Sequence, residues 1–225
     1  MEDMESVLNL KEISFSYEDR DVLENVNLNV RKGDFVGIMG ANGAGKSTLL
    51  KLILGLLSPK QGEVEILGES IGQFNKWPKI GYLSQQVLKK HQQFPATCEE
   101  IVRANLFSQI GFLRFPTRRH HEKVKAAMEA VGMAGYEKKL IYQLSGGQQQ
   151  RIMLAHVLVS EPELIILDEP TTGVDQEAIT AFFELLQKLN REKQMTIIMV
   201  THEMHKSLQY INRQLYLEEK QIVEA

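Results

Sequence analysis

Apolar residues alternate with polar ones from Val7 through Leu8, Leu10, Ile13, Phe15 and Tyr17, and again at Val26, Leu28 and Val30. Between the two runs lies the turn-like Glu18-Asp19-Arg20-Asp21. A period of two predicts two strands. Lys32-Gly33-Asp34 then turns the chain into a short apolar run, Phe35 to Met39, of strand composition, while Leu49 to Leu54 suits a buried helix. Ser58-Pro59-Lys60-Gln61-Gly62 ends that helix, and Val64 to Leu67 and Ile80 to Leu83 read as two further short strands.

Beyond Gln85, strand signals give way to helix signals as far as Ser160, which predicts an inserted helical lobe. Thr97-Cys98-Glu99-Glu100 fits a capping box, in which the Thr97 hydroxyl and the Glu100 carboxylate satisfy free backbone donors at a helix start. Val124, Ala127, Met128 and Val131 mark one apolar helix face, closed by Gly132. Leu164 to Leu167 reads as a central parallel strand that ends in Asp168, and Ile179, Phe182, Phe183 and Leu186 mark an amphipathic helix. Thr196 to Val200, ending at Thr201-His202, is the next buried strand. Strand, helix and strand in this order imply right-handed crossovers in a parallel sheet. No internal repeat, low-complexity tract or long linker interrupts the pattern.

With 225 residues, 43% of them hydrophobic and 24% charged, the chain suits one large domain or one domain carrying an inserted lobe. A net charge of −3 argues against a protein that coats nucleic acid. A single cysteine, Cys98, excludes an internal disulfide framework and suits a reducing compartment. The acidic start, Met1 to Ser6, has no signal-peptide character. The longest apolar-rich stretch, Leu49 to Leu57, is broken by Lys51 and Gly55 and falls short of the ~20 residues that span a bilayer, so a membrane role is expected to be peripheral.

The chemistry concentrates in Gly40-Ala41-Asn42-Gly43-Ala44-Gly45-Lys46-Ser47-Thr48, between an expected strand and an expected helix. Glycines at 40, 43 and 45 let backbone N–H groups converge on an anion, to which the helix start adds positive partial charge. Lys46 suits the β- and γ-phosphates of a nucleotide, and the Ser47 hydroxyl suits Mg²⁺, which prefers hard oxygen ligands. Chance produces such an octet in a chain of this size with a probability on the order of one per cent.

Together with this loop, Leu144-Ser145-Gly146-Gly147-Gln148 resembles the signature of ABC-transporter-type ATPases. The resemblance covers nearly the whole chain, in the family's order: Tyr17, the phosphate loop, Gln85, the signature, Ile165-Ile166-Leu167-Asp168-Glu169-Pro170, Thr172-Gly173-Val174-Asp175 and His202. It implies an α/β fold, a P-loop NTPase (RecA-like) core with an antiparallel β subdomain and an inserted α-helical lobe. The core is expected over 1–86 and 161–225, and the lobe with the signature over 87–160. ATP and Mg²⁺ are the implied cofactors.

Residue by residue, the resemblance implies that Tyr17 stacks on adenine and that Gly40, Asn42, Gly43, Ala44, Gly45, Lys46, Ser47 and Thr48 hold the phosphates. Ser47, Gln85 and Asp168 would serve Mg²⁺, Glu169 would orient or deprotonate the attacking water, and His202 would hold the γ-phosphate. Taken alone, a strand-end tyrosine is a packing residue and a lone histidine a structural one, and it is the surrounding motifs that reverse those readings. Ser145, Gly146, Gly147 and Gln148 would contact the nucleotide held by a second protomer, with Asp175 at the seam, so that ATP binding closes a dimer and hydrolysis reopens it.

The resemblance further implies an importer's ATPase subunit at the cytoplasmic face of the cell membrane. Its expected partners are a second, identical protomer, an integral membrane permease and an extracytoplasmic solute-binding protein, with no nucleic acid. A cofactor-assembly ATPase or an exporter's subunit is the alternative, whereas a degenerate binding module conflicts with Lys46, Asp168, Glu169 and His202 all being in place. Phe94-Pro95-Ala96-Thr97-Cys98-Glu99-Glu100-Ile101-Val102 is similar to the corresponding segment of zinc- and manganese-uptake ATPases, which points to zinc, with manganese or an iron chelate as alternatives. Two residues depart from that pattern, Cys98 in place of valine and Ser84 in place of proline. His91, His120 and His121 read as exposed rather than metal-binding, and Arg114, Arg118, Arg119, Lys123 and Lys125 as a solvated helix face rather than a lipid-facing one.

Overall fold

The computed structural model describes residues 5–84, 95–111, 115–171, 174–201 and 208–224. The chain forms two compact units, Met1–Trp77 with Gln187–Ala225, and Pro78–Leu186.

In the first unit, β1 (Ser6–Tyr17) and β2 (Arg20–Arg31) form the antiparallel hairpin that the alternating pattern predicts. Leu10 and Ile13 are three apart, a spacing that would set one of them on the solvent face of a regular strand. The pairing shifts register between them, Glu12 takes a φ of 52°, and both side chains end in the core at 1% and 0% exposure. One extra residue thus re-phases the strand. On its other edge β1 pairs with β4 (Gln61–Ile66), which starts earlier than expected because Gln61 already pairs with Ser14, and β4 pairs with β5 (Glu69–Ser70). Gln61, Gly62 and Glu63 are all exposed and carry no apolar signal, which hid this extension.

The same unit holds a parallel set, β3 (Phe35–Met39) between β8 (Thr196–Thr201) and β9 (Arg213–Glu218), with β10 (Gln221–Glu224) antiparallel on β9. Every residue of β3 and β8 is buried, as continuous apolar runs in a parallel sheet require. β3 leads through the glycine-rich loop into α1 (Lys46–Ile53), whose Leu49, Leu50, Leu52 and Ile53 are at most 1% exposed. Burial of each such side chain contributes about 1.5–3 kcal/mol. That anchors the helix start on which the loop ends.

In the second unit, β6 (Ile80–Leu83) runs parallel to β7 (Leu164–Asp168), in register from Ile80 opposite Leu164 to Leu83 opposite Leu167. The helices are α2 (Cys98–Ala104), α3 (Phe107–Ile110), α4 (Arg118–Ala130), α5 (Gly146–Leu158) and the part of α6 (Gln176–Lys193) up to Leu186. The capping box at α2 is present: Glu100 Oε2 accepts from the Thr97 N–H at 2.8 Å, and the Thr97 hydroxyl accepts from the Glu100 N–H. The bond from the Thr97 N–H, and a second that the Thr97 hydroxyl donates to the same Oε2 at 2.7 Å, hold the Glu100 carboxyl below its ordinary pKa. Gly132, with a φ of 71°, follows the last turn of α4 as the sequence predicts. Asn105 Nδ2 donates to the His156 carbonyl at 2.8 Å, and a ring nitrogen of His156 lies 2.7 Å from the Ile101 carbonyl, so the last turn of α5 is tied to α2 and its C-cap.

Candidate nucleotide site

In the first unit the candidate residues centre on the phosphate loop. α1 is capped at its N-terminus by Gly45, which has a φ of 109° and so adopts a backbone that favours glycine, and among the described residues no side-chain cap bonds its first N–H groups. A Cβ at Gly45 would come within 3.1 Å of Val22 and 3.3 Å of Leu23, which sets the loop against the start of β2. The first turn of α1 holds no acidic residue. An uncapped helix start of this kind presents N–H groups and a positive dipole end to an anion.

Lys46 is 6% exposed, and its ammonium donates to the carbonyls of Gly40 at 2.7 Å and Ala41 at 3.0 Å. Of the three protons that an ammonium carries, these bonds use two, so the loop's own carbonyls aim a charged donor while leaving capacity for a further acceptor. Ser47 is exposed in the same turn, with its hydroxyl accessible to a hard cation. The donor set therefore fits a nucleotide phosphate accompanied by Mg²⁺. Tyr17, at the end of β1, is 45% exposed, with its ring edge-to-face against Phe15 at 4.9 Å. An exposed aromatic surface of this kind suits stacking on a base.

The second unit carries Ser145, Gly146, Gly147, Gln148, Asp168, Glu169 and Asp175. Ser145 caps α5: its hydroxyl accepts from the Gln148 N–H at 3.3 Å, and Gln148 Oε1 accepts from the Ser145 N–H at 3.1 Å. At the end of β7, Asp168 is half-buried and within 3.4 Å of the Tyr82 hydroxyl. Burial, reinforced by the Asp168 charge, pushes the Tyr82 phenol up to about 12, so it stays a donor at neutral pH. Glu169 follows with a φ of 47°, a left-handed backbone costly for a side-chain-bearing residue and common at functional turns. Asp175 Oδ1 accepts from the Ala178 N–H at 2.9 Å at the start of α6. Gln85, Thr172, Gly173 and His202 lie outside the described residues, as do His91, Phe94 and Arg114.

The model of the ABC transporter family matches residues 23–172, from within β2 through the Asp168-Glu169 turn. The chain belongs to the ABC transporter family. It has that family's α/β P-loop NTPase fold and is one of its ATPase cassettes. Over 222 residues it is 41% identical to the zinc uptake system ATP-binding protein ZurA of Listeria monocytogenes, covering 99% of this chain and 86% of that one. Over 213 residues it is 37% identical to the manganese transport system ATP-binding protein MntB of Bacillus subtilis, covering 95% and 84%. Among solved structures, cbiO1 from Clostridium perfringens, part of the ABC transporter complex cbiONQ, superimposes with a TM-score of 0.87 at 29% identity, over 97% of this chain and 87% of that one. A bacterial ABC transporter cassette solved as a dimer superimposes with a TM-score of 0.78 at 29% identity, over 97% of both chains.

Two residues of this ABC cassette were not anticipated from sequence. Sequence alone marks Tyr82 only as a strand position, since its bond to Asp168 depends on β6 lying beside β7. Gln150 is 0% exposed, and its Nε2 donates to the Pro170 carbonyl at 2.7 Å. A signal for it exists, because Gln150, Met153, Leu154 and Val157 fall at i, i+3, i+4 and i+7, which puts an amide on the apolar stripe of a helix. Among the described residues no group of three histidines, cysteines or carboxylates is placed to hold a metal ion, and no helix is long and apolar enough to cross a membrane. Arg118 pairs with Glu122 and Lys125 with Glu129 on the exposed face of α4, whereas Lys123 departs from the expected solvated face: its side chain is only 16% exposed and its ammonium reaches off the helix to Glu161 and Gln109.

Proposed function

We propose that this chain is the ATP-hydrolysing subunit of an importer that drives zinc uptake through a separate integral membrane permease. It works as a homodimer at the cytoplasmic face of the membrane, with an extracytoplasmic solute-binding protein delivering the ion. The observation that carries the reading is the uncapped, lysine-guarded start of α1 in a chain 41% identical, over 99% of its length, to a zinc uptake ATP-binding protein. The 37% identity to a manganese transport protein makes manganese the second reading.

In this reading Gly40 to Thr48 cradle the phosphates, Tyr17 stacks on the base, and Ser47, Gln85 and Asp168 hold Mg²⁺. The metal, when bound, supplies charge neutralisation at the transferring phosphoryl group. Lys46 directs its remaining donor at the phosphate oxygens, Glu169 accepts a proton from or orients the attacking water, and His202 contacts the γ-phosphate. Ser145, Gly146, Gly147 and Gln148 complete the nucleotide site of the partner protomer, residues 1–86 and 161–225 forming the nucleotide-binding core and 87–160 the signature-bearing lobe.

Glu169→Gln should retain ATP binding, accumulate as an ATP-bound dimer on gel filtration and lose at least about 10²-fold in turnover. Hydrolysis at the wild-type rate would remove Glu169 from its role. Deletion of the gene, in a strain with no redundant importer, should impair growth under zinc chelation, with zinc restoring growth at lower concentration than manganese or iron. Preferential rescue by manganese selects the second reading.

A further inference from the structure

Gln150, in the second turn of α5, has a wholly buried side chain whose two amide atoms fare differently. Its Nε2 donates to the Pro170 carbonyl at 2.7 Å, while its buried Oε1 has no hydrogen-bond partner among the described residues. The reverse orientation of the amide would set two acceptors against each other, so the donor must be the atom that faces Pro170. A methionine or leucine would fill the same volume without burying an unpaired Oε1 but would leave the Pro170 carbonyl without this donor, so what the amide adds here over an apolar residue is its bond to Pro170.

What the amide grips is more telling. Proline has no N–H, so the carbonyl is the one backbone hydrogen-bonding group of Pro170, and it immediately follows Glu169 in its left-handed conformation at φ 47°. α5 also bears on the far end of the same segment: a Cβ on Gly147 would lie 2.6 Å from the Ala178 Cβ, closer than side chains approach, and Ala178 is the residue whose N–H Asp175 caps. The helix that begins with the signature therefore touches both ends of the stretch that carries Glu169 and Asp175.

We propose that Gln150 is a positioning residue for Glu169, its amide linking the signature helix to the catalytic turn of the same chain so that engagement of Ser145 is transmitted to the carboxylate. This rests on the roles given above to Glu169 and the signature. The link relates the two nucleotide sites of a dimer, since the signature of one chain serves one site and its Glu169 the other.

The test uses the full-length chain carrying Gln150→Met, which keeps volume and removes the donor, and Gln150→Asn, whose amide is too short to reach Pro170. Both should lower kcat on the order of tenfold and bring the Hill coefficient for ATP toward one, with KM and the Kd of a fluorescent ADP analogue within about twofold of wild type. The Tm of Gln150→Met should change little, because removal of the unpaired Oε1 offsets loss of the bond to the Pro170 carbonyl. Wild-type kcat and cooperativity in Gln150→Met would overturn the proposal. So would a fall in Tm and a rise in KM in both variants, up to loss of the fold, which marks a packing residue. An inactive Glu169→Gln beside a wild-type Gln150→Met refutes this inference alone, whereas an active Glu169→Gln refutes the reading on which it rests.

Discussion

The two glycine-rich helix starts of this chain are built in opposite ways. α1 begins at Gly45 with no side chain on its first N–H groups, while α5 begins at Ser145 with a reciprocal box in which the Ser145 hydroxyl and the Gln148 amide already satisfy a donor each. Gly45 offers the first N–H groups of α1 no side-chain acceptor, so an anion there does not have to displace a capping bond of the kind Ser145 makes. At α5 a ligand must displace or share bonds that the chain already makes, which weakens whatever the signature can hold unaided. One site is preorganised and the other conditional, a difference suited to a signature that acts only once a nucleotide is held elsewhere.

The largest expected effect breaks the preorganised side. Lys46→Ala removes the ammonium held by the Gly40 and Ala41 carbonyls and should cost on the order of 10²–10³-fold in kcat/KM, with weaker nucleotide binding by the isolated chain measured by fluorescence titration. A smaller change touches the conditional side. Ser145→Ala should leave ADP binding by the monomer within about twofold and lower stability by about 1 kcal/mol, the usual worth of a lost N-cap, in urea unfolding. Were monomer binding to fall as it does for Lys46→Ala, the contrast between the helix starts would fail.

The smallest effect compares two boxes of the same design. Glu100 closes the box at α2 with a carboxylate, where Gln148 closes its own with an amide. The Thr97 backbone N–H, then its hydroxyl, hold the Glu100 pKa below the ordinary value of 4.5. A carboxyl depressed on folding contributes stability that is present above its unfolded pKa and is lost as pH falls through the folded one. Stability should therefore decline below about pH 4.5 with a contribution that Glu100→Gln removes, measured as the pH dependence of the urea midpoint, whereas Gln148 adds no such slope.

How far the sequence discloses this molecule depends on the reach of each interaction. Buried strands such as β3 and β8 declare themselves through unbroken apolar runs, and the boxes at Thr97 and Ser145 span three residues each, so local pattern suffices. The phosphate loop is likewise contiguous, and the apolar runs on either side of it announce the strand and the helix that flank it. The bond from Gln150 to Pro170 crosses twenty residues and needs α5 to lie over the end of β7, which no local periodicity encodes. Tyr82 and Asp168 are further apart in sequence, and meet because two strands pair in register. The shift that re-phases β1 was visible only as a broken alternation between Leu10 and Ile13.

Cys98 sits immediately inside the α2 capping box, fully buried, and it is the chain's single thiol. Burial pushes it up to about 11, so at neutral pH it is protonated and shielded, and a thiol reagent reaches it only when that helix opens. The native protein thus carries an internal clock. At saturating reagent, the labelling rate reads how often the α2 end of the second unit breathes, and at lower reagent it reads what fraction of molecules is open. Comparing that rate with and without ATP would show whether nucleotide binding damps motion at this helix, with no probe introduced into the chain.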